Sequence, residues 1–356
     1  MPRLPPSLFW RARREISPMA TYLLKACRDL ESTANELRWI REHVRATPSP
    51  VFPGLRTWNL CERRGKGVPL QYVLGTQPFG NLDIKCRPGV LIPRPETEAY
   101  TLHLASLLSQ EQQSSPAPLS ILDLCTGTGC IPLLLLSSLL TPPAAPPKIT
   151  IHALDISPLA ISLATHNHAH NTALNLLPPP TPQTPHTLTF TRANIFHPLP
   201  APPHHQQPGG TIDLLTANPP YISPAAFATD TSRAVRNHEP RLALVPDTST
   251  STLTDYAAAY NCLPQDIFYA RLLECAAELR PRRVFLEVGD MAQAVRVVGM
   301  VLRDGGAGLG GYYATVEIWR DEPEVERVEM RRIAGREVGV RGEGKGRGVY
   351  LFQGDV

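Results

Sequence analysis

No stretch of this chain is apolar for long enough to cross a bilayer. The most apolar window, Ile131 to Leu140, is half the ~20 residues that a membrane helix needs and follows a glycine turn. The chain also lacks any cysteine pair at metal-ligand or redox spacing. Its seven cysteines are scattered, and Cys125 and Cys130 are separated by four residues, so reduced thiols in a reducing compartment are expected. A strong charge of one sign is missing too. The formal charge of +3 is too small an excess to imply a nucleic-acid or membrane partner by itself. His166, His168, His170 and the pair His204-His205 have no flanking cysteines or acids, so they read as solvated histidines, and no metal is implied. What remains, 42% hydrophobic and 19% charged over 356 residues, is the composition of a soluble globular protein with about two domains.

Residues 1–18 hold Arg3, Arg11, Arg13 and Arg14 against one acid, Glu15, with Leu8, Phe9 and Trp10 between them. An Arg-rich, acid-poor start reads as a mitochondrial targeting segment; a disordered basic tail is the plain alternative. Met19 offers a second start that would leave a cytoplasmic form. Ser17-Pro18 then supplies an N-cap and a first-turn proline. Leu23, Cys27, Leu30, Leu37, Ile40 and Val44 recur at helical spacing, so residues 19–75 read as a small helical domain, broken at Pro48 to Gly54. Residues 76–98 read as a hairpin linker turned at Pro88-Gly89, with Leu82, Ile84 and Val90 to Ile92 in its strands. From 99 to 356 strands and helices alternate, which predicts an α/β fold with a doubly wound, mostly parallel sheet. The proline clusters at 142–147, 178–185 and 198–208 read as loop insertions. Gly342 to Gly348 reads as a flexible turn before a last short strand, Val349 to Phe352.

Three motifs carry chemistry. The run Ile212 to Thr216 is a strand that enters Ala217-Asn218-Pro219-Pro220-Tyr221 and has to stop there. Prolines lack N–H donors, so the ladder ends while their carbonyls stay free beside the Asn218 side chain, and the Tyr221 ring closes the end. That is an acceptor-rich socket suited to a planar –NH2 group. Upstream, Ser120 to Leu124 is a strand followed by Cys125-Thr126-Gly127-Thr128-Gly129, a turn whose glycines let the backbone approach a ligand. Asp155 ends the next strand, where a carboxylate can accept from both hydroxyls of a ribose; it also precedes a helix at Ser157-Pro158, which a carboxylate would stabilise without any ligand. Together the motifs indicate an adenosine-containing cofactor and an amine- or amide-shaped acceptor.

These motifs, with Leu91-Ile92-Pro93-Arg94-Pro95-Glu96-Thr97-Glu98 and Val235 to Leu244, resemble the HemK/PrmC family, the S-adenosylmethionine-dependent methyltransferases of glutamine in peptide-chain release factors. The resemblance runs from about Val68 to Val328. It implies a class I, Rossmann-like methyltransferase domain with a small N-terminal helical domain that binds substrate. It also implies that Cys125 to Gly129 wrap the methionine end of the cofactor and that Asp155 holds the ribose. Ile195 would flank the adenine, and Arg94 and Thr97 would line the site from the linker. Two positions depart from the family pattern: Cys125 stands where many relatives have Gly, and Asn194 where an acid is common.

On this reading the Asn218 side-chain oxygen and the Pro219 carbonyl accept the acceptor's N–H groups, and Pro220 and Tyr221 complete the socket. Two other classes stay open, a DNA adenine methyltransferase and a catalytically silent binding protein. Between Asn81 and Arg280 ten Lys plus Arg face fourteen Asp plus Glu, a net −4, with no basic, aromatic-interleaved recognition domain in view. That balance favours a Gly-Gly-Gln loop of a release factor over DNA, which demands many phosphate contacts.

Overall fold

The structure is a computed structural model and describes residues 3–141, 148–182, 184–200, 211–247, 251–303, 309 and 311–354. The proline insertion at 142–147, most of the one at 198–208 and the pair His204-His205 lie outside the described residues.

Arg28 breaks the first apolar stripe. It sits at φ 71°, a left-handed conformation that ends α2 (Ala20–Cys27). Asp29 accepts from the Ser32 N–H at 2.7 Å and caps the next helix, α3 (Leu30–Ala46), so the stripe is shared by two helices. With α4 (Pro53–Gly65) and α5 (Leu70–Leu74) they enclose Leu23, Leu24, Leu37, Ile40 and Cys61. Residues read as a targeting segment pack here as well. They form α1 (Pro6–Arg11) and a π-turn, Ala12–Ile16, with Leu8, Phe9 and Ile16 against the core and Ala12 fully buried, while Arg11, Arg13 and Arg14 stay exposed.

The hairpin falls earlier than the sequence suggests. β1 (Thr76–Phe79) pairs with β2 (Leu82–Lys85) around Gly80-Asn81. Gly80 lies at φ 57°, and a Cβ there would come within 2.5 Å of Leu134, so only glycine fits the turn. Val90 to Ile92 form no strand, because Pro88 has no N–H for a ladder and Gly89 turns at φ 94°. The hairpin belongs to the larger core: Phe79, Leu82 and Ile84 pack with Leu133 to Leu136.

The remaining elements are α6 (Pro95–Ser114), β3 (Leu119–Leu124), α7 (Cys130–Leu139), β4 (Ile149–Asp155), α8 (Pro158–Ala173), β5 (His186–Arg192) and β6 (Leu214–Ala217). After them come α9 (Pro224–Thr229), α10 (Arg233–His238), α11 (Ser251–Ala259), α12 (Ile267–Leu279), β7 (Arg283–Glu287), α13 (Met291–Leu302), β8 (Thr315–Glu322), β9 (Val328–Ile333), β10 (Arg336–Arg341) and β11 (Glu343–Phe352). Among the described residues they build a nine-stranded sheet in the order β5-β4-β3-β6-β7-β11-β8-β10-β9. β5 through β7 are parallel, and β11 runs antiparallel between β7 and β8. This is the doubly wound α/β sheet of a class I, Rossmann-like fold.

Two details depart from expectation. Gly342 to Gly348 is no flexible turn: residues 343–348 begin β11, with register shifts between Glu343, Gly346 and Gly348. A Cβ at Gly348 would fall 2.1 Å from the Phe285 ring, so the glycines serve close packing. His170 is not merely solvated: its Nε2 lies 2.7 Å from Asp83 Oδ2, joining α8 to the hairpin.

The chain reverses direction across the sheet between β3 and β6, and such a switch point opens a crevice at the carboxyl ends of the strands. Register makes the crevice sharp. Leu154, Leu124, Ala217 and Leu286 pair in one row across β4, β3, β6 and β7. Asp155, Cys125, Asn218 and Glu287 follow them, so four chemically distinct residues reach one edge at one level.

Candidate active site

The turn after β3 is held open by its backbone. Cys125, Gly127 and Gly129 lie at φ 64°, 56° and 78°. A Cβ at Gly127 would meet nothing within 4 Å, so this glycine leaves room for a ligand. A Cβ at Gly129 would press on Ala164 at 3.0 Å and on the Phe190 ring at 3.1 Å; this glycine serves the packing of α7 against its neighbours. Cys125 takes a left-handed conformation without being glycine, at a cost of about 1–3 kcal/mol for such a position. Burial raises its thiol pKa well above the ordinary range and keeps it neutral.

Asp155 fixes the turn from the next strand. One carboxylate oxygen accepts from the Gly127 N–H at 2.9 Å and the other from the Ser157 N–H at 2.8 Å. Burial pushes its pKa up, and those backbone donors pull it back. Asn167, fully buried on α8, donates to the Thr128 carbonyl at 2.9 Å and accepts from the Lys85 N–H at 2.7 Å. The hairpin and the turn are thus set by one side chain.

The turn, Asp155 and the loop after β6 enclose a cavity of about 520 Å³. Of the residues singled out from the sequence, Arg94, Thr97, Cys125, Thr126, Gly127, Thr128, Asp155, Ile195, Asn218 and Pro220 lie on its wall. Gly129, Pro219 and Tyr221 do not. Tyr221 turns its hydroxyl to Glu287 Oε1 at 3.2 Å, and its ring lies against Gly289. Arg94 and Thr97 reach the wall, but their polar groups are engaged. Arg94 donates to both oxygens of buried Glu239 at 2.8 Å, and Thr97 donates to Glu287 at 2.8 Å. Asn194 also lines the cavity, and its side-chain oxygen accepts from the Phe196 N–H at 3.1 Å.

Asn218 differs from its neighbours. It is half-buried on the wall, and its carboxamide forms no hydrogen bond with any described residue. The Thr126 hydroxyl, also on the wall, lies toward the buried Asp123 carboxyl beneath it and lowers that group's pKa. The site therefore offers a glycine cradle, a fixed carboxylate and an amide that no described residue engages. Phe196 and Phe268 add aromatic wall, their rings edge-to-face at 5.0 Å.

Sequence reasoning gave no role to Glu239, Glu287, Gln293 or Asn167. Glu287 had a signal, an acid at the end of the apolar strand Val284-Phe285-Leu286. Glu239 lay inside a quoted motif, but nothing local marks it as the partner of Arg94, 145 residues away. No group of three or more metal-ligating side chains occurs among the described residues, nor any helix long and apolar enough to cross a membrane.

No family model matches the chain. Over 246 residues it is 38% identical to the mitochondrial MRF1 N(5)-glutamine methyltransferase MTQ1 of Saccharomyces cerevisiae, covering 69% of this chain and 68% of that protein. A probable MRF1 mitochondrial N(5)-glutamine methyltransferase of Schizosaccharomyces pombe is 36% identical over 249 residues, 68% of this chain and 73% of its own length. A release factor glutamine methyltransferase of Nitratidesulfovibrio vulgaris is 34% identical over 237 residues, 66% and 64% of the two chains. Solved structures align only loosely: the N-terminal domain of human METTL16 reaches a TM-score of 0.45 at 14% identity, over 90% of this chain and 94% of that one.

One titration beneath the cavity is testable. Burial pushes Asp123, on β3, up to about 7, with Thr126 and Thr216 opposing and the Asp155 charge adding a little. A carboxyl raised above its unfolded value costs no stability below the unfolded pKa and progressively more as pH climbs to the folded one. Asp123→Asn removes that cost. Its stability relative to the unmutated protein should therefore improve by about 2–3 kcal/mol between pH 5 and pH 8 in urea melts. A difference that stays flat across that range contradicts the assignment.

Proposed function

The chain belongs to the release factor glutamine methyltransferases, and from that premise we propose that it methylates the glutamine of the Gly-Gly-Gln loop in a peptide-chain release factor. It is an S-adenosylmethionine-dependent protein-glutamine N-methyltransferase. The observation that carries the finer reading is the Asn218 carboxamide on the cavity wall, hydrogen-bonded to no described residue and one strand from the glycine turn.

The cavity fits the cosubstrate. Gly127 leaves open space where a side chain would stand, and the fixed Asp155 carboxylate stands beside it on the wall. Thr126 to Thr128 would hold the methionine end, Asp155 the ribose, and Ile195 with Phe196 the adenine. When bound, S-adenosylmethionine supplies an electrophilic methyl group. The protein's own task is to present a poor nucleophile, because an amide nitrogen has its lone pair delocalised into the carbonyl. The Asn218 side-chain oxygen accepts one N–H of the glutamine amide and fixes its plane; Pro220 walls the other side. Orientation of this kind is worth up to ~7–11 kcal/mol of barrier. An acceptor aimed at the nitrogen also steadies the positive charge that develops there. Pro219 and Tyr221 act from outside the wall, through the backbone of the same loop.

A protein acceptor suits the charge around the site, net −4 from Asn81 to Arg280. The helical domain has the opposite charge balance. Residues 1–75 carry thirteen Lys plus Arg against six Asp plus Glu. Trp10, Trp39, Phe52 and Trp58 are exposed on it. Charge alone therefore does not dismiss DNA; the relatives' glutamine chemistry and the acidic cavity domain favour protein. On this reading the helical domain grips the release factor while the cavity receives its loop. The decisive trial offers equimolar release factor and adenine-containing duplex with methyl-labelled cosubstrate. Label on the release factor's Gly-Gly-Gln glutamine is expected. Label in DNA with none on that glutamine overturns the reading.

The same reading places the enzyme in mitochondria, supported by the mitochondrial relatives and by exposed Arg11, Arg13 and Arg14 on the first helical turns. Residues 1–30 fused to a fluorescent reporter should therefore enter mitochondria; a diffuse cytoplasmic signal would refute the address.

A further inference from the structure

Glu287 is a buried carboxylate, 3% exposed, that makes no ion pair with any described residue. Three hydroxyls converge on it instead. Thr97 and Tyr100 of α6 each donate at 2.8 Å, and Tyr221 of the acceptor loop donates at 3.2 Å. Its backbone carbonyl accepts from Tyr269 of α12 at 2.7 Å. Burying a carboxylate without a cation is unfavourable, so a strand end with no structural need for charge would ordinarily carry a neutral residue. The register explains what the charge does there. Leu286 pairs with Ala217, so Glu287, the last residue of β7, stands beside Asn218, the first residue past β6.

The segment beyond Glu287 grips the same loop a second and third time. Gln293 donates to the Tyr221 carbonyl at 3.2 Å while its own oxygen accepts from the Gly289 N–H at 2.8 Å. Gly289 lies flat against the Tyr221 ring; a Cβ there would come within 3.0 Å of it. Tyr221 is thus fixed at its hydroxyl, its ring and its carbonyl by residues 287–293, although it does not line the cavity itself.

We propose that Glu287 is a positioning residue for methyl acceptance, holding Tyr221 to the linker helix α6 so that Asn218 keeps its free amide aimed into the cavity. The proposal rests on the glutamine reading for its kinetic consequence but not for its structural one. Because Thr97 and Tyr100 share the carboxylate, α6 and the acceptor loop move as one body.

The test compares Tyr221→Phe, Glu287→Gln and the double variant. Tyr221→Phe keeps the ring and removes only the hydroxyl, so it preserves the fold even if Glu287→Gln does not. Each single change should lower kcat on the release factor about tenfold, the scale of one lost buried hydrogen bond. KM and the cosubstrate Kd should stay within about threefold, and the double variant should be no slower than the slower single, as coupled residues require. Hydrogen exchange of the peptide 217–223 should quicken about tenfold in either variant, and this readout needs no acceptor. Multiplicative losses in kcat, or a lowered Tm with unchanged kcat and unchanged exchange, would overturn the proposal. An unmutated enzyme that is inactive on the release factor, with exchange still quickened in the variants, would instead sink the glutamine reading and leave the positioning role standing.

Discussion

Everything at the site depends on one constraint, the shared register of four adjacent parallel strands at their carboxyl ends. Ladder pairing of Leu154, Leu124, Ala217 and Leu286 sets the next residues at a common level, Cys125 and Asn218 just past their strands and Asp155 and Glu287 as the last paired residues of theirs. Each exit is then made by a different local device. Glycines and a left-handed Cys125 turn the chain after β3, Ser157 caps a helix after β4, prolines stop β6, and Asp290 caps α13 after β7. Chemistry is assembled by stopping, more than by any single side chain.

A second constraint is the near-complete commitment of polar groups around the cavity. Arg94 is bound to Glu239, Thr97 and Tyr221 to Glu287, Asp155 to the turn, and Asn194 to its own loop. Buried polar groups left unpaired are costly, so such a wall is rigid and disinclined to rearrange. Against that background the free Asn218 amide stands out as the position where hydrogen-bonding capacity has been left for a ligand. The strained Cys125 fits the same view, since non-glycine residues at positive φ persist only where their surroundings hold them.

How much of this was legible in the sequence follows from what is local. The alternation of strands and helices, the stop at Asn218-Pro219-Pro220 and the glycine turn are all written in neighbouring residues. So is Asp155, one residue beyond a buried run. The misplaced hairpin, the strand at Gly342 to Gly348 and the unused pairing of His170 with Asp83 were not legible. Each is decided by a distant partner: Leu134 under Gly80, Phe285 under Gly348, and the hairpin beside α8. Glu287 and Glu239 were hidden for the same reason, since their meaning lies in hydroxyls and a guanidinium 66 to 190 residues away in the chain. Local chemistry predicts where the chain stops; it does not predict what the stopping points hold on to.

The most direct measurement of the central claim is a crystal structure with S-adenosylhomocysteine and a peptide carrying the Gly-Gly-Gln loop. The account predicts the glutamine amide nitrogen within hydrogen-bonding distance of the Asn218 side-chain oxygen, the ribose on Asp155, and Tyr221 still bound to Glu287. A glutamine seated elsewhere in the cavity, with Asn218 turned away from it, would contradict the account.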